Sequence, residues 1–123
     1  MNTQEVANRL VLLCREGKFV NAIDELYDEN ILSLEPRGAR GERTEGKAAV
    51  KAKTVEFDSM LEQVHSSKIS DPIVTDNHFA CVMEMDITMK GMGRNPMNEV
   101  CVYEVKNGKI VAEQFFYSMM MPS

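Results

Sequence analysis

The chain has 123 residues, 44% of them hydrophobic and 27% charged, with a formal net charge of -5. That length can bury one core without metal or disulfide staples, and the composition excludes disorder of the whole chain. The negative charge removes the attraction to phosphates on which non-specific nucleic-acid binding rests, and no apolar run nears the roughly 20 residues of a bilayer span.

The first half reads helical. Val6, Ala7, Leu10, Val11, Leu13 and Cys14 recur at the spacings of one helix face, with Asn2 and Glu5 spaced as a capping box and Gly17 as the stop. A shorter helix carries Phe19, Ala22, Ile23, Leu26 and Tyr27 on one side. Residues 30–35 read as a strand closed by Pro36, which cannot donate to a ladder. A polar loop over 37–44 leads to a third helix, predicted over 45–64 with Val50, Thr54, Phe57, Leu61 and Val64 as its buried stripe.

The second half alternates. A strand is predicted over 65–74 and a turn at Asp76-Asn77. Phe79, Cys81, Met83, Met85, Ile87 and Met89 then alternate with Ala80, Val82, Glu84, Asp86, Thr88 and Lys90, the period of a strand with one apolar face. Residues 91–96 read as a hairpin connection and 97–105 as the next strand. Asn107-Gly108 is the strongest short hairpin signal, and a last strand runs from Ile110 to about Met119. The order α-α-β-α-β-β-β-β, helices first and a mostly antiparallel meander after, is an α+β pattern. It predicts one domain over residues 1–123, with three helices on the concave face of a curved sheet of four or five strands around a pocket.

Two stretches resemble a known superfamily. Leu26-Tyr27-Asp28-Glu29-Asn30, continuing through Pro36-Arg37-Gly38 to Gly46-Lys47-Ala48-Ala49-Val50, is similar to its run from second helix to third. Val102-Tyr103-Glu104-Val105-Lys106-Asn107-Gly108-Lys109-Ile110-Val111 is similar to its late hairpin. On these motifs and the element order, nearly the whole chain resembles the SnoaL-like, ketosteroid isomerase-like, nuclear transport factor 2-like superfamily. The resemblance implies a cone-shaped fold with an internal cavity. It places Glu35 where ketosteroid isomerases carry their catalytic aspartate. The isomerase's oxyanion-hole tyrosine and protonated aspartate fall near Leu10, which cannot donate a hydrogen bond, and near Cys101, whose thiol donates only weakly, so steroid isomerisation by that machinery is not expected. The superfamily register of the last strand turns Val111, Glu113, Phe115 and Tyr117 inward. The opposite register turns Ile110, Ala112, Gln114 and Phe116 inward, and periodicity leaves both open.

Glu35, His65 and Glu113 are thus the candidate catalytic residues. A carboxylate at a pocket edge can shuttle a proton if desolvation lifts its pKa, and histidine titrates near neutrality. His65, with Ser67 and Ile69, is expected on the inward face of its strand. Cys81, Met83, Met85, Cys101, Tyr103, Phe115 and Tyr117 are the expected pocket lining. His78 reads as a turn residue. Glu84 and Asp86 share the face opposite the core, which reads as solvated or dimer-facing. The three cysteines, Cys14, Cys81 and Cys101, fit neither a disulfide framework nor a metal motif and read as buried thiols. No metal or cofactor site is expected. The opening residues lack the pattern of a secretory leader, so a cytoplasmic protein is expected.

Two functions remain open at this level. One is a small-molecule-binding domain with cofactor-free acid/base chemistry of isomerase, cyclase or hydratase type. The other is a non-catalytic dimeric binding module. Val82, Val100, Val102 and Phe116 make the outer sheet face apolar, which suggests a homodimer through that face under either reading. Met119, Met120 and Met121 are expected to cap the cavity mouth or pack on a partner.

Overall fold

The computed structural model describes residues 1–118; the methionine tail expected at the cavity mouth lies outside them. Three helices are followed by, and interleaved with, strands: α1 (Thr3–Arg15), α2 (Phe19–Leu26), β1 (Tyr27–Leu34), β2 (Arg43–Glu45), α3 (Lys47–Met60), β3 (Leu61–Ile69), β4 (Ile73–Val74), β5 (His78–Met89), β6 (Gly93–Lys106) and β7 (Lys109–Phe116). The predicted α+β architecture is the one found, and no helix interrupts the strands from His78 to Phe116. The sheet is larger than expected, with seven strands in the order β2-β1-β7-β6-β5-β3 and β4 alongside β5. Every pairing is antiparallel except that of β1 with β7. Among the described residues no helix is long and apolar enough to cross a membrane.

Local chemistry explains most boundaries. The capping box forms as read: the Asn2 side chain accepts from the Glu5 amide at 2.8 Å, and Glu5 accepts from the Asn2 amide at 2.9 Å. Gly17, at φ 75, closes α1 while the Lys18 amide reaches back to the Leu13 carbonyl. Asn107 and Gly108, at φ 53 and 74, make the tight β6–β7 turn.

Several boundaries differ from the sequence reading: Tyr27, read on the second helix, opens β1, and the strand read over 65–74 is two, β3 and β4. The third helix stops at Met60, because residues 61–64 pair with the end of β5 from Met89 to Ile87. The Lys90 amide also bonds the Met60 carbonyl there, so sheet pairing overrides helical periodicity. Within the expected loop, Arg43–Glu45 pairs with β1 as a short edge strand. The expected hairpin connection is mostly strand, and Pro96 sits inside β6. Odd residues of β5 turn their backbone to β6, as Asn77 does to Val105, and even ones turn away, as Val82 does to Ser70. Pro96 opposes Asp86, an even residue, so its nitrogen faces away from β5. β7 pairs with β6 only from Val100 onward, so no ladder bond is lost at the proline.

The core lies between the helices and one sheet face. Val6, Leu10, Leu13 and Cys14 of α1 and Ile23 and Leu26 of α2 meet Ile31, Phe79, Cys81, Met83, Cys101, Tyr103 and Ile110. Phe79 stacks on Tyr103 at 4.7 Å, and Phe115 meets Tyr103 edge-on at 6.4 Å.

Candidate functional site

One row of paired residues crosses the inner face of the sheet: Phe79 opposite Tyr103, Tyr103 opposite Glu113, Glu113 opposite Ser33. The row begins apolar and ends polar. Glu113 is only 3% exposed and Ser33 is fully buried, the two buried polar residues among those described. The last strand therefore takes the register that turns Glu113 inward and leaves Gln114 and Phe116 exposed. Ile110 is buried as well, because the β6–β7 ladder shifts register between Glu104 and Val105.

Both oxygens of Glu113 are occupied. The Tyr27 hydroxyl donates a very short bond to Oε1, and Ser33 Oγ donates to Oε2 at 2.7 Å. Ser33 in turn accepts from Lys53 Nζ at 3.2 Å, and Lys53 pairs with Glu35 at 3.3 Å. Glu35 accepts a further bond from the Tyr117 hydroxyl at 2.9 Å. Glu35 and Glu113 thus join through Ser33 and Lys53 in one chain of hydrogen bonds. It reaches solvent at Glu35 and Lys53, whose side chains are 15% and 27% exposed. Burial pushes the Glu113 carboxyl up, and the bonds from Tyr27 and Ser33 and the charge of Lys53 hold it partly back. Burial also raises the Tyr27 and Tyr117 hydroxyls, so both stay protonated as donors.

Glu99 completes the polar cluster. It lies on the inner face of β6 opposite Met83, two residues from Cys101. Its carboxylate accepts from the Cys101 thiol at 3.5 Å. Burial first, and repulsion from Glu35 and Glu113 second, push its carboxyl up to about 7, against the bond from Cys101 and the charge of Lys53.

His65 does not join this cluster. A bulge between Val64 and Ser66 breaks the alternation that would have turned it inward with Ile69. Its Nε2 lies 2.7 Å from Thr88 Oγ1, on the side of β5 that also carries Val82, Glu84 and Asp86. Of the expected lining, Cys81, Met83, Cys101 and Tyr103 are buried in the core. Met85 and Phe115 are half-buried on the inner face, and so is Tyr117 just beyond β7. Two open surface grooves lie elsewhere. Asp28, Asn30, Glu104 and Lys109 bound one, and Ser66, Lys68, Glu84 and Arg94 the other. Neither includes a member of the cluster. Among the described residues no set of acidic, histidine and cysteine side chains is arranged to hold a metal ion.

Sequence reading missed Tyr27, Ser33, Lys53 and Glu99. A signal existed for two of them. Lys53 follows Val50 by three and precedes Phe57 by four, so it interrupts the buried stripe of α3. Glu99 stands in the alternation Met97, Glu99, Cys101, Tyr103, where the other members are apolar. Gly41 also contributes: a Cβ there would lie 3.2 Å from Lys53 Cδ, so its bare backbone leaves room for the lysine stem.

This arrangement of helices, curved sheet and inward polar cluster defines a class. The chain belongs to the SnoaL-like domain family, whose model matches residues 1–117. It is similar to the crystal structure of a candidate SnoaL-like polyketide cyclase from Mesorhizobium loti at 31% identity and TM-score 0.89, over 95% of this chain and all of that one. Two further structures share the fold. One is a protein of unknown function with a cystatin-like fold from Xanthomonas campestris (17% identity, TM-score 0.79, 94% of this chain and 90% of that one). The other is a ketosteroid isomerase-like protein from Catenulispora acidiphila in complex with trimethylamine (16%, 0.74, 94% and 86%). No match was found among curated proteins.

Proposed function

We propose that the chain binds a small, largely apolar molecule on the inner face of its sheet and transfers a proton on it without a cofactor, as an isomerase, cyclase or hydratase does. The observation that carries this is the buried chain of Glu113, Ser33, Lys53 and Glu35 beside an apolar surface. Folding does not call for it: well-packed apolar side chains in place of buried charges are often as stable or more so. Titratable groups with shifted pKa values, held in a partly open apolar site, cluster where chemistry is done. The similarity to the Mesorhizobium loti protein, described as a candidate polyketide cyclase, supports the same reading. In it Glu35, Lys53 and Glu113 form the polar end of the site, while Met83, Met85, Phe115 and Tyr117 form its apolar wall. The protein would act in the cytoplasm with no nucleic-acid or membrane partner.

Methyl-labelled methionines give the test. Met83, Met85 and Met97 lie on or beside the proposed wall, and Met92 is exposed on the β5–β6 turn. Titration with apolar ketones should shift the wall methyls and leave Met92 still, and Lys53→Met should weaken the response at least tenfold. Shifts confined to Met92, or none at all, would contradict the proposal.

The second reading, a non-catalytic dimeric module, draws on the outer face. Val82, Val100 and Phe116 lie opposite one another across β5, β6 and β7 and are 39%, 43% and 49% exposed. A ligand response on the wall together with unchanged ligand chemistry would favour that reading.

A further inference from the structure

We infer that Glu99, rather than Glu113 or Glu35, is the carboxylate that takes and returns a proton on the ligand, and that the ligand is an uncharged apolar carbonyl compound. This rests on the proposed function above and assigns its working group. Glu113 is enclosed and both its oxygens are filled by Tyr27 and Ser33, so it anchors the network without reaching a ligand. Glu35 is held by Lys53 and Tyr117. Among the described residues Glu99 has only the weak thiol donor of Cys101, and it is half-buried. It opposes Met83 on β5, and one inner-face step along β6 lies Met97, opposite Met85. Its carboxyl therefore borders the methionine surface.

The charges facing Glu99 also limit the ligand. Glu113 comes from β7, Glu35 from the end of β1, Lys53 from α3, Tyr117 from beyond β7, and the Cys81 and Cys101 thiols from β5 and its own strand. Lys53 is the one cation in this set, and Glu35 already neutralises it. An anionic ligand would meet carboxylates, and a cationic one would compete with Lys53 for Glu35. An uncharged ligand meets neither penalty. With its carboxyl near 7, Glu99 is about half ionised at neutral pH, which suits a group that must both accept and donate. In the step, the proton on the carbon beside the carbonyl passes to the Glu99 carboxylate. The electron pair of the C–H bond moves towards the carbonyl, whose oxygen carries the charge of the enolate. The Glu99 carboxyl, once its proton has exchanged with solvent, gives a proton back to that carbon or to a conjugated one, so that in D2O the carbon gains deuterium. No oxidant or co-reactant is consumed.

The experiment follows deuterium uptake at C1 of 2-tetralone in D2O by NMR, with methionine-methyl shifts recording binding in the same samples. Wild type, Glu99→Gln, Glu113→Gln and the outer-face control Glu84→Gln are compared, each checked for folding by its amide spectrum. Wild type should accelerate exchange, with a rate that rises with pH through a midpoint near 7. Glu99→Gln should lose at least tenfold while still binding, Glu113→Gln should move the pH midpoint down because its repulsion of Glu99 is gone, and Glu84→Gln should match wild type. Exchange retained in Glu99→Gln with the same midpoint overturns the inference and leaves the proposed function standing. Binding without any acceleration by wild type overturns the inference and the proton-transfer part of that function. Neither binding nor acceleration overturns both.

Discussion

Glu113 is a buried carboxyl and Glu99 a half-buried one, and their neighbours set them apart further. Glu113 is held by two hydroxyl donors that favour its charge, whereas Glu99 has one weak thiol. Glu99 also links pH to stability. In the folded chain it keeps its proton to about 7, against an ordinary 4.5. Raising the pH between those values releases that proton more readily from the unfolded chain, so stability is expected to fall across that window and level off above it. The loss attributable to Glu99 is on the order of 3 kcal/mol. Urea unfolding at pH 4.5 to 8 should show this slope in wild type and a shallower one in Glu99→Gln. Identical slopes would contradict the assigned burial. Glu35 and Glu113 were legible from the sequence, one through the family resemblance and the other through one of two open registers. Lys53 showed only as an interruption of the α3 stripe, and its link to Ser33 did not show, because nothing local ties a helix lysine to a strand serine twenty residues earlier. His65 failed for a local reason, a one-residue bulge that periodicity cannot foresee.

At the scale of elements, short-range chemistry was legible and long-range pairing was not. The capping box, the Gly17 stop and the Asn107-Gly108 turn each follow from a few neighbouring residues. The end of α3 depends on β5, nearly thirty residues later, and was placed four residues too far along. The tight turn can be tested by crowding. A Cβ on Gly108 would lie 3.0 Å from the Met1 carbonyl oxygen, whereas one on Gly91 meets nothing within 4 Å, and both backbones have φ near 75. Gly91→Ala should therefore cost about 1 kcal/mol from backbone strain alone. Gly108→Ala should cost measurably more, seen as a lower thermal midpoint. Equal losses would show that the chain start does not pack against the turn.

At the scale of the whole molecule, the sheet divides the protein into a helix-covered inner face that carries the cluster and an outer face with an apolar row. The row of Val82, Val100 and Phe116 is the basis for proposing a homodimer formed sheet to sheet. Equilibrium sedimentation at micromolar concentration should give a dimer, and Val100→Lys should give a folded monomer. A monomeric wild type would contradict that proposal and leave the inner-face site untouched. The central claim is that the inner face holds desolvated carboxyls poised for proton transfer. Carboxyl-carbon NMR titration of Glu99 and Glu113, in wild type and in Tyr27→Phe, tests it most directly. Both groups should titrate above the ordinary glutamate range, and Glu113 should rise further in Tyr27→Phe, which removes a bond to its charged form. Midpoints near 4.3 for both, the value of a solvated glutamate, unmoved by the loss of the Tyr27 hydroxyl, would contradict it.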